Sequence, residues 1–371
     1  MAARLQAPRP GRANRRRREG GTRELSGFLV LEDGSVLRGR SVGALGVAHG
    51  EAVFTTAMTG YQEVVTDPSF SEQLVAFTAP MIGNYGVSPQ RSESAQPHAR
   101  AVLMRQATGE DWTRWLHGQG IVALEDVDTR ALVVRLRERG AMRAAAVAGA
   151  ASVDQVLEDV RAQAPMAGRA LVARVSTREP YRVGGGATRV AVLDYGCKRS
   201  IIDRLGACGA RATVYPHDTD AATILAEQPA GVLLSNGPGD PAALAGEAAV
   251  VRELLGRVPI LGICLGHQLL AQAAGLETFK LPFGHRGANH PVLELASSRV
   301  LVTSQNHGFA VRGDGPAVTH VSLYDGTVEG LAFPGERARS LQFHPEAGPG
   351  PHDAWPEIEA WVEELGYAAA A

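Results

Sequence analysis

Between Val258 and Gly275 the chain changes periodicity abruptly. The apolar run Val258-Pro-Ile-Leu-Gly-Ile263 reads as a buried strand, and His267-Gln-Leu-Leu-Ala-Gln-Ala-Ala-Gly275 reads as a helix closed by glycine. Only Cys264-Leu265-Gly266 lies between them. A strand that gives way to a helix so quickly must turn sharply, and Gly262 and Gly266 flank the turning residue two positions to either side. Glycine lets backbone segments approach where a Cβ would collide. Cys264 therefore stands on an elbow at a helix N-terminus, where the positive end of the macrodipole favours thiolate over thiol.

An elbow of this kind needs a parallel sheet around it. Arg189–Leu193, Arg211–Tyr215, Gly231–Ser235 and Pro259–Ile263 read as strands, alternating with helical patterns at Lys198–Gly206, Thr219–Gln228 and within Ala242–Gly256. Strict alternation predicts an α/β domain with a mainly parallel, doubly wound sheet and reactive loops at the carboxyl ends of its strands. The preceding half has another texture. Strand patterns flank the hairpin signal Asp33-Gly34 and recur at Val53–Thr56 and Gln73–Thr78, before helical patterns at Asp111–His117, Thr129–Arg139 and Val153–Ala162. These patterns predict an N-terminal α+β domain over residues 25–177. A linker over 178–188 carrying Gly184-Gly-Gly186 follows, and the α/β domain occupies 189–371. Residues 1–24 mix arginine with proline, glycine and alanine, and hold too few apolar side chains to offset ordering entropy. They are expected to form a disordered basic tail.

Composition excludes several classes. A net charge of −2 gives no global reason for a nucleic-acid or anionic-membrane partner. No apolar run approaches the ~20 residues needed to cross a bilayer. The cysteines, Cys197, Cys208 and Cys264, form no C-x-x-C pair, which argues against a disulfide framework or zinc site and for a reducing cytoplasm. The histidines His285, His290 and His307 show no metal-ligand spacing, so no metal is expected in this chain. Cys197 and Cys208 read as packing residues, and Trp112 and Trp115 as core on one helix face.

The chemistry gathers in the second half. In Ser340-Leu-Gln-Phe-His344-Pro-Glu346 an extended backbone would put His344 and Glu346 on one face. His344 could then exchange protons with Cys264 while Glu346 holds its far ring nitrogen, so nucleophile, base and orienter form a triad. An acyl-transfer site also needs donors for the developing oxyanion. The N–H groups of Leu265 and of Gly237, in Ser235-Asn-Gly237-Pro-Gly239-Asp-Pro241, are the candidates. Residue types and spacing thus reach acyl transfer on a thiol.

Those three strings, Gly262–Gln268, Ser235–Pro241 and Gln342–Glu346, resemble the signatures of class I glutamine amidotransferases. Met58-Thr-Gly60-Tyr-Gln-Glu-Val-Val-Thr-Asp67-Pro-Ser-Phe-Ser71 and Ile82-Gly-Asn-Tyr-Gly86 are similar to the small subunit of carbamoyl phosphate synthetase. Asp194–Arg199, Phe283–Pro291, Thr303–Phe309 and Asp325–Gly330 extend that likeness over roughly Ser26 to Trp361. The resemblance implies that the thiolate attacks the side-chain amide of L-glutamine, that ammonia leaves, and that a glutamyl thioester is hydrolysed. It implies a large synthetase subunit as partner, reached by ammonia through a tunnel. That partner makes carbamoyl phosphate from bicarbonate and ATP for pyrimidine and arginine biosynthesis. No cofactor is implied in this chain, since ATP and a divalent metal belong to the large subunit. Carried over by position, the glutamine-binding residues are Ser71, Gly237, Gly239, Leu265, Gln268, Asn306, Gly308 and Phe309. Ala79, Tyr324 and Gly348 depart from the family pattern without touching the triad. The rival readings are a glutaminase of another biosynthetic pathway and an inactive amidotransferase-like protein that binds glutamine.

Overall fold

The computed structural model describes residues 26–370. The arginine-rich segment over residues 1–24 lies outside the described residues. Among those described, no helix is long and apolar enough to cross a membrane.

The first half closes into a barrel. Its strands are Ser26–Leu31 (β1), Val36–Ser41 (β2), Gly46–Thr55 (β3), Gln73–Phe77 (β4), Ala101–Leu103 (β5), Val122–Glu125 (β6) and Met142–Ala148 (β7), in the order β1-β2-β6-β5-β4-β3-β7. Strands β3 to β6 run parallel, and β1, β2 and β7 pair antiparallel. The Asp33-Gly34 turn joins β1 to β2, with Gly34 at φ 88° and Ser35 N–H donating to Asp33 Oδ1 at 2.9 Å. Alternation along β1 serves two cores. Leu29 and Leu31 point into the barrel with Leu74, Leu103 and Leu124, while Phe28 and Val30 pack outward on Val156 and Val160 of the helix Val153–Ala162. Closure is possible because alanine fills much of the narrow interior, at Ala52, Ala76, Ala101, Ala144, Ala146 and Ala148. Trp112 is fully buried, as expected of a core residue, and stacks on Trp115, which is only half-buried at the edge of that core.

The second half is a ten-stranded sheet. Its strands are Tyr181–Val183 (β8), Thr188–Asp194 (β9), Ala210–Pro216 (β10), Gly231–Leu234 (β11), Ile260–Ile263 (β12), Glu277–Glu294 (β13), Arg299–Arg312 (β14), Val318–Ser322 (β15), Val328–Phe333 (β16) and Ala338–Leu341 (β17). The parallel core runs β17-β12-β11-β9-β10. One face carries Ile201 and Leu205 with Ile358, Trp361 and Leu365, and the other carries Val251, Leu265 and Leu269, so the sheet is covered on both sides. Strands β13 to β16 add an antiparallel half that the strand–helix alternation did not foreshadow.

The linker expected over 178–188 is not a free connection. Its residues Tyr181–Val183 form β8, which pairs antiparallel with β10 at the sheet edge. The glycines there serve packing: a Cβ on Gly186 would sit 1.8 Å from Gly209 O. The segment before it also docks on the second half. Ala170 bridges to Gly239, Val172 joins the sheet core, and Met166 and Leu171 pack on Phe309.

Candidate active site

Cys264 follows β12 and precedes the helix Leu265–Ala273. Its backbone sits at φ 54°, ψ −104°, a conformation that costs a non-glycine residue about 1–3 kcal/mol. The surroundings hold it there. Cys264 N–H donates to Leu341 O at 2.9 Å, and Gly266 N–H to Ser235 O at 3.0 Å. A Cβ on Gly262 would lie 2.6 Å from Gly266 O, and one on Gly266 would lie 2.1 Å from Leu234 O. The elbow can be this tight only because both positions are glycine.

Strand β17 is the parallel neighbour of β12, so the chain beyond Leu341 emerges beside Cys264. His344 is fastened by a bridge to Ser304 on β14, through His344 N–H donating to Ser304 O at 2.9 Å. Its Nδ1 donates to Glu346 Oε1 at 2.7 Å. Here the expected local geometry needs correction. Residues 344–346 do not continue an extended strand but enter a turn, with Ala347 N–H donating to His344 O. His344 and Glu346 meet across that turn rather than by strand alternation. Burial alone would pull the imidazole down, but the Glu346 carboxylate and the Cys264 sulfur outweigh burial and the Lys198 cation and push it up to about 10. Its Nε2 is buried without a hydrogen-bond partner, on the side toward the Cys264 sulfur.

Lys198 completes the charge arrangement. Its Nζ lies 2.9 Å from Glu346 Oε1 and 4.0 Å from Glu93 Oε1, all three side chains being buried. Burial raises the Glu346 pKa, yet Lys198 and His344 hold it far below the usual carboxylate range. Burial likewise lowers Lys198, and Glu346, Glu93 and Asp67 reverse this and raise it. The paired charges of His344 and Glu346 therefore rest on a lysine from the loop after β9, three strands from β17 along the same carboxyl edge of the sheet.

A cleft opens on the thiol. Of the residues anticipated for a ligand, Gly237, Gly239, Gln268, Asn306, Gly308 and Phe309 line it together with Cys264. Gly237 approaches so closely that a Cβ would lie 2.1 Å from Tyr195 O. Gln268 Nε2 donates to Phe309 O at 2.9 Å, and Cys264 Sγ lies 3.5 Å from Asn306 O. Leu265 turns its side chain into the sheet core, so only its backbone is available to the cleft. As the first residue of its helix, it has an N–H that no preceding turn can satisfy.

Ser71 is not on the cleft. Its hydroxyl donates to Pro68 O at 2.8 Å and lies 3.3 Å from His98 Nδ1. The serine that lines the cleft is Ser69, whose Oγ accepts from Asn236 Nδ2 at 2.9 Å. The cause is local: Asp67 caps a short turn over Pro68–Phe70, which aims Ser69 and Ser71 differently. The same Asp67 accepts from Asn306 Nδ2 at 2.8 Å, tying the first half of the chain to β14.

Charged groups that sequence reasoning missed also line the cleft. Arg286, on β13, is buried with Nη1 donating to Phe283 O at 2.8 Å and Nε without a partner. Burial lowers its pKa, and Glu51 and Cys264 work against that. Glu51, from the barrel, accepts from Lys280 Nζ at 2.7 Å. Lys198 and Arg286 both stand inside strings that carried the family resemblance, which was the only signal available. Conversely, His267 within the nucleophile string faces away, its Nδ1 2.9 Å from Ser340 Oγ, and burial pushes it down to about 3.

Comparisons with known proteins agree with this division of the chain. Residues 191–360 match the family model for glutamine amidotransferase class-I, and residues 29–146 match that for the carbamoyl-phosphate synthase small chain, CPSase domain. The chain is 46% identical over 356 residues to the carbamoyl phosphate synthase small chain of Parasynechococcus marenigrum (strain WH8102), covering 88% of this chain and 92% of that one. It is 46% identical over 348 residues to the protein of the same name from Chlorobaculum tepidum, covering 89% and 95%. The one from Xanthomonas campestris pv. campestris is 45% identical over 368 residues, covering 92% and 98%.

Proposed function

The chain belongs to the carbamoyl phosphate synthase small-chain family, and from that premise we propose that it hydrolyses L-glutamine at Cys264 and delivers the ammonia to a large synthetase subunit. The observation that carries this reading is the buried line Cys264–His344–Glu346–Lys198 at the edge of a cleft that holds both a cation and an anion. A zwitterionic amino acid needs both, and Arg286 and Glu51 suit its α-carboxylate and α-ammonium groups.

In the first half-reaction the Cys264 thiolate attacks the side-chain carbonyl carbon of glutamine. The oxygen, now negative, accepts from the N–H groups of Leu265 and Gly237. The tetrahedral species collapses by breaking the C–N bond, while His344 Nε2 gives its proton to the departing nitrogen, and ammonia leaves. Neutral His344 then takes a proton from water, and the hydroxide adds to the thioester. Collapse breaks the C–S bond, releases glutamate, and restores thiolate and imidazolium. Glu346 holds Nδ1–H throughout, and Lys198 keeps Glu346 ionised.

A second, narrow cleft lies on the far side of Asn306, lined also by His344, Lys198, Thr55, Gly287 and Pro349. It supports an exit for ammonia from the proton donor toward the barrel side. ATP, its divalent metal and the synthesis of carbamoyl phosphate for pyrimidine and arginine formation are assigned to the partner, in the cytoplasm.

The test is Cys264→Ala in complex with the large subunit. Glutamine-dependent synthesis of carbamoyl phosphate should vanish while synthesis from free ammonia persists. Glutamine-dependent turnover surviving in this variant would rule out Cys264 as nucleophile.

A further inference from the structure

Behind the cleft wall formed by Asn306–Phe309, three side chains from three strands converge on one point. His285 on β13 and His307 on β14 are direct cross-strand partners, and Glu329 on β16 comes in beside them. Their exposures are 6%, 4% and 0%.

The hydrogen bonds around them determine which atoms remain free. His285 Nε2 lies 2.9 Å from Asp325 Oδ2, a carboxylate oxygen that can only accept, so Nε2 carries a proton. His307 Nδ1 lies 2.7 Å from Phe309 O, and by the same reasoning it carries a proton. Glu329 Oε2 accepts from Gln305 Nε2 at 2.8 Å. What is left over is His285 Nδ1, His307 Nε2 and Glu329 Oε1. All three are buried without a hydrogen-bond partner, and all lie within 4.8 Å of one another.

A carboxylate this deeply buried must be neutralised by a proton or matched by a cation. A single proton answers for only part of the cluster. Placed on His285 Nδ1 it would serve Glu329 Oε1, 3.5 Å away, and leave the His307 lone pair facing the same oxygen at 4.0 Å. A divalent cation satisfies all three atoms at once. We propose that His285 Nδ1, His307 Nε2 and Glu329 Oε1 form a binding site for a divalent cation of the zinc class.

The donor set and its surroundings fit such an ion. Two imidazoles and a carboxylate are a common zinc set, with bonds of about 2.0–2.2 Å that put neighbouring ligand atoms roughly 3.3–3.5 Å apart. The His285–Glu329 pair already stands at 3.5 Å, and His307 needs to close from 4.0 Å. Each ligand is oriented by a second partner on its far side, Asp325, Phe309 O and Gln305, as zinc ligands are. The other cluster of this type among the described residues, Glu294, His320 and Glu357, differs, because Arg299 already lies 3.4 Å from Glu294 and 3.8 Å from Glu357. The ion would tie β16 to β13 and β14 directly beneath Gly308 and Phe309, and so stiffen the cleft wall. It takes no part in the thiol chemistry, and the proposal stands or falls independently of the glutaminase reading.

The test is a Co²⁺ and Zn²⁺ titration of the full chain carrying Cys264→Ala, which removes the thiol as a competing ligand. One equivalent should bind, and Co²⁺ should give visible absorption of low-coordinate form. Glu329→Gln, close in shape, should weaken binding more than about 100-fold, and His320→Ala should leave it unchanged. The proposal is overturned by the absence of a stoichiometric site, by a site that Glu329→Gln does not weaken, or by one that His320→Ala abolishes.

Discussion

Lys198 Nζ and His344 Nδ1 both donate to one oxygen, Glu346 Oε1, at 2.9 Å and 2.7 Å. A single carboxylate oxygen thus couples the His344 imidazole to the buried Lys198 cation. The triad is in effect a line of four groups, and its charge state depends on the fourth.

Replacing that cation is the direct check. In Lys198→Met the buried carboxylates Glu346 and Glu93 lose their compensation, and breaking a buried pair from one side costs about 3–5 kcal/mol. Denaturant unfolding at pH 7 should read that loss. Glu346 is held below its ordinary range in the native chain, so its contribution to stability is present above the unfolded carboxylate pKa and disappears as pH falls. Without Lys198 the acid limb of the glutamine-hydrolysis profile should move to higher pH, and an unmoved limb would count against the coupling.

His344 behaves with the opposite sign. Its pKa is raised to about 10, so the stabilisation from its imidazolium is complete below the unfolded value near 6.5 and is lost as pH rises through about 10. Nitrogen NMR of the ring should report imidazolium at neutral pH in the intact chain. Glu346→Gln should lower that midpoint and reduce glutamine hydrolysis by about 10²–10⁴.

The two serines of the Asp67 turn separate cleanly. Ser69 lines the cleft, whereas the hydroxyl of Ser71 is spent on Pro68 O. Ser69→Ala should raise the KM for glutamine by roughly tenfold, about the worth of one hydrogen bond. Ser71→Ala should leave KM within about twofold, and steady-state kinetics of the two variants decide between them.

Gly266→Ala tests the elbow itself. The added Cβ would meet Leu234 O at 2.1 Å, in the backbone of the adjacent strand. Relieving such overpacking costs about 1–3 kcal/mol and displaces Cys264. Thermal unfolding should show the lower Tm, and thiol alkylation should show altered reactivity even where the variant folds.

The elbow and the parallel core were legible along the chain, because each depends on local spacing, whereas Cys264 and His344 are brought together only by the pairing of β12 with β17. Gly262 and Gly266 announce the turn, and alternating strand and helix periods announce the layered sheet. Ser71 was misplaced for the complementary reason: two serines two residues apart look alike until the Asp67 cap sets which one faces the cleft. Tyr181–Val183 read as linker because an edge strand of three residues has too little pattern to detect.

What the amino-acid order determined by itself was therefore the cysteine on its elbow and the strand–helix frame around it. Barrel closure, the antiparallel half of the sheet, and the meeting of Lys198, Glu93 and Glu346 were decided only in three dimensions. So was the approach of His285, His307 and Glu329. Those relationships join residues tens to hundreds of positions apart, and they arise from strand register and burial, which no local period encodes.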